Sequence, residues 1–338
     1  MKNRLLILSF FVLTLFIGII VGLLLRHNEN TWLFIKKPFI KHYKNKSKNW
    51  SQDFSIDTVR STIDSHIQKI YYYKSKSKTP KPLIVSLHTW GGDYSQNDDL
   101  ANLCKQRDLN YIHPDFRGPN STNDACCSDL ALNDIDEAIT FAISNFNIDK
   151  AEIYVIGISG GGYATLSAFM KSQHNIKKFS AWASITDLIA RYHESKTQNS
   201  RVSNDILNCT NSSSQLNIEN AKQKSPLYLD TPIEKLKESK VSIYAGVFDG
   251  IQKHVPITHS INFYNKILGD LSVSDSTKYV SIYEKLKLIE FRKPLGDYGY
   301  IGDRKVYLRK EFENLKLVIF EGDHEMLTEF ALNELIDE

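Results

Sequence analysis

The sequence predicts an α/β fold built on a doubly wound, mostly parallel sheet with helices on both faces. Three observations carry this. Short unbroken apolar runs recur, such as LIVSL at 83–87 and EIYVIG at 152–157. Segments with helical spacing separate them, as at 130–145, where Leu130, Ile135, Ile139 and Ile143 share one face. A glycine-rich turn joins one apolar run directly to a helical segment. Strands covered on both faces read as continuous apolar runs. Their alternation with helices makes successive strands parallel.

The elements follow in order. IQKIYYY at 67–73 is rich in β-branched and aromatic residues and reads as a strand, closed by the turn KSKSKTPKP. LIVSL (83–87) is a buried strand, followed by a helix near 97–107 and a strand NYIHP at 110–114 that ends on proline. The helix at 130–145 precedes EIYVIG, and GGYATLSAFMKS (161–172) forms the helix after it. FSAWAS (179–184), VSIYAG (241–246) and LKLVIF (315–320) supply further strands, with a last helix from about Glu325. Residues 185–232 and 270–311 fit this alternation poorly. Structureless stretches of that length in a compact domain are usually lids or mobile insertions, and both follow strands, on the side where α/β folds bind ligands.

The chain has 338 residues, 42% of them apolar and 24% charged, the balance of an ordinary globular protein. A net charge of +3 implies no general affinity for nucleic acid. Residues Leu5 to Leu25 carry no charge. As a helix they would span about 32 Å, enough to cross a bilayer core, and no A-x-A-like cleavage site follows. This defines three regions: a membrane anchor in 1–25, a basic aromatic-bearing linker in 26–54, and a catalytic domain in 55–338. Lys2 and Arg4 favour a cytoplasmic start, whereas Arg26, Lys36, Lys37, Lys41 and Lys44 oppose it. A short basic start before an apolar run resembles an export signal, so the domain is expected outside the cytoplasm. Of four cysteines, Cys126 or Cys127 could bridge to Cys209 in that compartment, or all could stay as thiols. No spacing suggests zinc, and no cofactor is expected.

Gly157-Ile158-Ser159-Gly160-Gly161-Gly162 carries the chemistry. A G-x-S-x-G match is weak alone, but here a buried strand precedes it and a helix follows, which is the required context. The competing reading, a phosphate-binding turn, lacks the P-loop lysine and the G-x-G-x-x-G spacing. Serine needs an adjacent base. In this fold's chain order that base comes last, and His324 sits in FEGDHEML after the final strand. Its rivals are His174, His193, His254 and His259. The orienting acid belongs after the strand 241–246, where AGVFDG places Asp249; Asp187 and Asp323 are the alternatives. An oxyanion hole requires the Gly160 amide and a second donor from His88-Thr89-Trp90-Gly91-Gly92, with Thr89 and Trp90 both eligible. His88, Trp90 and Asp187 are expected against the substrate.

Taken together, LIVSLHTWGGDYSQ, DFRGPN, SDLALNDIDEAI, IYVIGISGGGYATL, ITDL, AGVFDG, VPITHSINFYN and IFEGDHEML resemble the prolyl-oligopeptidase-like branch of the α/β-hydrolases. They are most similar to bacterial acetyl-xylan and related carbohydrate esterases. The resemblance spans roughly 55–338 and implies the same Ser159, Asp249 and His324. It also implies export and an ester substrate, one carried on carbohydrate; unlike true prolyl oligopeptidases, the chain is expected to have no N-terminal propeller to select short peptides. Two departures stand near the substrate face: five residues, Gly250 to His254, separate Asp249 from Val255-Pro256, and Lys224 replaces an expected arginine. A serine peptidase with the same triad is the alternative. A non-catalytic binding protein on the same scaffold is the third reading, and it predicts a lost triad member.

Overall fold

The computed structural model describes residues 50–251 and 254–337. Ten strands form the sheet: β1 (Ser55–Arg60), β2 (Ile67–Tyr73), β3 (Lys81–Leu87), β4 (Asn110–Pro114), β5 (Ile148–Ile158), β6 (Lys178–Trp182), β7 (Lys240–Gly246), β8 (Tyr300–Ile301), β9 (Arg304–Phe312) and β10 (Leu315–Phe320). Their spatial order is β1-β2-β4-β3-β5-β6-β7-β10-β9-β8. The six strands from β4 to β10 in that order run parallel. Both margins are antiparallel, so the sheet is mixed rather than mostly parallel. The cause is connection length: only Glu313 and Asn314 join β9 to β10, and so tight a link permits only an antiparallel pair.

Helices cover both faces. In β3, Leu83 and Val85 face one core with α2 (Asp129–Asn145), α3 (Gly160–Lys171) and α8 (Thr258–Asp270). Ile84 faces the other with α1 (Asp99–Gln106) and α10 (Thr328–Ile336). Alternation along a strand that is apolar on both faces produces this two-sided burial. The region 185–232 is not structureless. It holds α4 (Leu188–Thr197), α5 (Val202–Cys209) and α6 (Ile218–Gln223), with Asp187 capping α4 and Asn217 capping α6. α7 (Ile233–Glu238) leads into β7. The region 270–311 holds α9 (Ile282–Phe291), closed at its start by a Ser281–Glu284 capping box, then the β8–β9 hairpin.

The described domain starts with Trp50, whose indole stacks on Tyr71 at 4.6 Å. Cys126 is disulfide-bonded to Cys209, which ties α5 to the loop before α2, while Cys104 and Cys127 are buried free thiols. Among the described residues no helix is long and apolar enough to cross a membrane. The run Leu5–Leu25 and the linker through residue 49 lie outside them.

A charged clamp lies under the loop after β4. Arg117 Nε and Nη2 donate to Asp134 at 2.7 and 3.1 Å, and Nη1 and Nη2 donate to Asp64 at 2.7 and 3.0 Å. Asp134 and the arginine side chain are almost wholly buried. The Arg117 guanidinium holds the Asp64 carboxyl well below the usual carboxylate range.

Candidate active site

Ser159 stands where β5 turns into α3. Its backbone lies at φ 60° and ψ −117°, outside the helical and extended wells, a conformation that costs about 1–3 kcal/mol in a non-glycine residue. The turn is tight enough that a methyl on Gly157 would overlap the Gly161 backbone. The Ser159 amide donates to the Trp182 carbonyl at 2.9 Å, which pins the turn to β6.

Asp249 and His324 come from loops after β7 and β10. Asp249 is 1% exposed. Its Oδ1 accepts from the Val255 amide at 3.1 Å, and its Oδ2 accepts from His324 Nδ1 at 2.7 Å. A carboxylate at Nδ1 keeps that nitrogen protonated and leaves Nε2 as the basic atom. The two loops are knitted by Val247 N–H to Phe320 O at 2.8 Å and Phe248 N–H to Gly322 O at 2.9 Å. Gly246 makes this possible. Any side chain there would overlap the Gly322–Asp323 backbone, so its absence lets the histidine loop cross the end of β7 toward β5.

The structure therefore pairs Asp249 with His324. Ser159 shares their edge of the sheet, because β5, β7 and β10 point the same way. Its hydroxyl makes no hydrogen bond to His324 among the described residues; such contacts often tighten only with substrate bound. Of the rival acids, Asp323 accepts from the His324 amide rather than its ring. Of the rival bases, His254 stacks on the His324 ring at 4.5 Å and 10°. Burial and the neighbouring imidazole hold His254 below the ordinary histidine range. His259 is buried in a different network, accepting from the Thr186 amide at 3.1 Å and facing Glu194 at 3.2 Å. His174 bonds the Asp136 carbonyl at 2.9 Å on α2.

The loop after β3 separates its two eligible donors. Both the amide and the hydroxyl of Thr89 donate to Gln96 Oε1, at 3.0 and 2.7 Å. The Trp90 amide has no acceptor among the described residues, and a methyl on Gly160 would overlap that nitrogen. The Trp90 and Gly160 amides are thus neighbours, and free. The indole of Trp90 is held by Asp205 Oδ2 at 3.1 Å, which turns α5 onto this loop. Gln96 and Asp205 carry no motif, and nothing in the sequence singled them out.

Two expected substrate contacts fall elsewhere. His88 is completely buried, with Nδ1 2.9 Å from the Thr89 carbonyl and Nε2 2.9 Å from the Asp115 carbonyl. It supports the loop from beneath and cannot reach a substrate. Asp187 spends Oδ1 on the Ile189 and Ala190 amides and Oδ2 on the Tyr228 hydroxyl, so it is a helix cap. Lys224, which stands where arginine was expected, donates to Asn123 Oδ1 at 3.0 Å and Cys209 O at 2.8 Å, and burial lowers its pKa to about 8.

Gly160→Ala is expected to push the Trp90 amide out of line and lower kcat by about 10²-fold or more. Steady-state kinetics beside a melting curve checks this. An unchanged kcat would show that the two amides do not act together.

Fold and sequence define the class: the chain has a fold of α/β-hydrolase type, with a mixed sheet and helices on both faces. Residues 100–266 match the prolyl oligopeptidase family. Among solved structures the chain is similar to Pyrococcus horikoshii acylaminoacyl peptidase, with TM-score 0.51 and 19% identity over 72% of this chain and 38% of that one. It is also similar to a puromycin-hydrolysing peptidase from Mycobacterium tuberculosis (0.52, 14%, covering 83% and 37%). A third similar structure is oligopeptidase B from Leishmania major (0.53, 10%, covering 84% and 36%). The chain thus spans little more than a third of each. No curated protein matches it.

Proposed function

We propose that this chain cleaves acyl bonds in two steps, with Ser159 as nucleophile, His324 as general base and Asp249 as its orienting acid. The observation that carries this is the 2.7 Å bond from His324 Nδ1 to a buried Asp249, at the sheet edge that holds the strained serine. His324 Nε2 takes the Ser159 proton as Oγ attacks the carbonyl carbon. The Gly160 and Trp90 amides receive the oxyanion. The protonated imidazole then gives its proton to the leaving group, and water repeats the sequence to free the acid.

The bond we propose is an amide or aminoacyl ester in a peptide-like substrate. The match to a peptidase family over 100–266 supports this above the carbohydrate ester that the sequence motifs suggest. We also propose that Leu5–Leu25 holds the domain at a membrane, on its extracytoplasmic side. A panel of aminoacyl nitroanilides and acetylated xylans tests the substrate class. Turnover of the anilides with higher kcat/KM is expected. Turnover of acetylated glycans alone would restore the esterase reading. Failure of a fluorophosphonate to label Ser159 would leave only a binding role.

A further inference from the structure

Thirteen large apolar side chains are exposed among the described residues, and five of them fall between 282 and 300: Ile282, Tyr283, Leu286, Phe291 and Tyr300. Ile282 is 77% exposed and Tyr283 66%. Clustered exposure of this kind marks a binding surface more often than scattered residues do. Beside α9 lies an open groove of about 530 Å³, bounded on its other side by Lys293–Tyr298. That volume suits a small organic group.

The lining has a definite chemistry. Tyr283, Phe291, Leu295 and Tyr298 supply aromatic and apolar surface, and Lys287 and Lys293 supply charge. Lys287 Nζ lies 4.5 Å from the Tyr283 ring centroid. Neither lysine has a carboxylate partner among the described residues. The one acidic lining residue, Glu284, is spent in an ion pair with Lys310 at 2.9 Å and in the cap of α9. The groove is therefore apolar with a net positive rim.

Its position ties it to the reacting groups. Arg292 Nη1 donates to the Val247 carbonyl at 2.7 Å, two residues before Asp249. The Leu295 amide donates to Tyr307 O at 3.0 Å, and the Tyr307 ring packs on Phe248 at 6.4 Å. Arg304 pairs with Glu325, next to His324, at 3.0 Å. The segment that builds the groove thus braces the acid loop, and β9, which follows it, braces the base loop.

We propose that this groove is the subsite for a distal aromatic group of the substrate that bears a carboxylate, as at the carboxyl terminus of a peptide ending in phenylalanine. This rests on the acyl-transfer reading. Aromatic faces take the ring, and the two lysines take the anion.

The test compares the full chain with a Lys287→Gln/Lys293→Gln variant on three substrates: an aminoacyl-phenylalanine, its carboxamide, and p-nitrophenyl acetate, which has no carboxylate for the lysines to hold. Removing the two lysines is expected to raise KM about five- to ten-fold for the free acid alone. An equal change on all three, or no change, overturns the subsite. Calorimetry with 3-phenylpropionate separates this from the catalytic reading. Binding by the wild type that the variant loses supports the groove even if nothing is hydrolysed. No binding by the wild type overturns it even if hydrolysis is robust.

Discussion

Ser159→Ala is expected to lower kcat by about 10⁵–10⁶-fold, the scale on which a triad acts as one unit. Without Oγ there is no covalent intermediate, and His324 has no proton to accept from the enzyme. What remains is orientation of water by His324 and the Gly160 and Trp90 amides, a residual catalysis of roughly 10³–10⁴ over solution. The fold is expected to hold. Alanine takes the same φ of 60° with no greater strain, and the turn is pinned through the backbone bond to Trp182. Steady-state rates, fluorophosphonate labelling and a melting curve read the three quantities separately. Labelling that persists in the alanine variant would place the nucleophile on another residue.

Arg117→Ala is expected to have the largest effect on stability, about 3–5 kcal/mol. The arginine side chain is 6% exposed and that of Asp134 1%. Removing the guanidinium leaves a carboxylate in the interior with no counter-charge, while Asp64 is returned to water. At about 2–4 °C per kcal/mol for a domain of this size, the melting temperature should fall by roughly 10 °C. The damage should also reach the site. The same loop offers the Asp115 carbonyl to His88, and His88 supports Thr89. Arg117→Lys keeps the charge but not the double fork, and an intermediate loss is expected. A melting temperature within 2 °C of wild type would show that the clamp contributes little to stability.

The interior of the sheet was legible because its strands are buried on both faces. NYIHP and LKLVIF stand at the residues the sequence gives for them. At the margins β2 was legible as IQKIYYY, but β1, β8 and β9 were not. β1 is exposed at five of six positions, and β9 reads RKVYLRKEF, so charge masks the strand pattern. The helices of 185–232 are six to ten residues long, too short for a periodic signal, and were readable only from caps such as Asp187. At the site, the Asp249–His324 contact could be anticipated because element order places both after neighbouring parallel strands. The choice between Thr89 and Trp90 could not. It depends on Gln96, seven residues away, occupying one of the two amides. The burial of His88 was likewise invisible, since Asp115 reaches it only through the pairing of β3 with β4.

β10, which follows all the other strands in the chain, does not lie at a margin but between β7 and β9. A nascent polypeptide halted before residue 315 would present β7, buried at six of its seven positions in the intact fold, as a bare seam and would leave the β8–β9 hairpin with nothing to join. Such a truncation product has every hallmark of an aggregating species, so translation or proteolysis that stops short there yields insoluble material rather than a weakened enzyme.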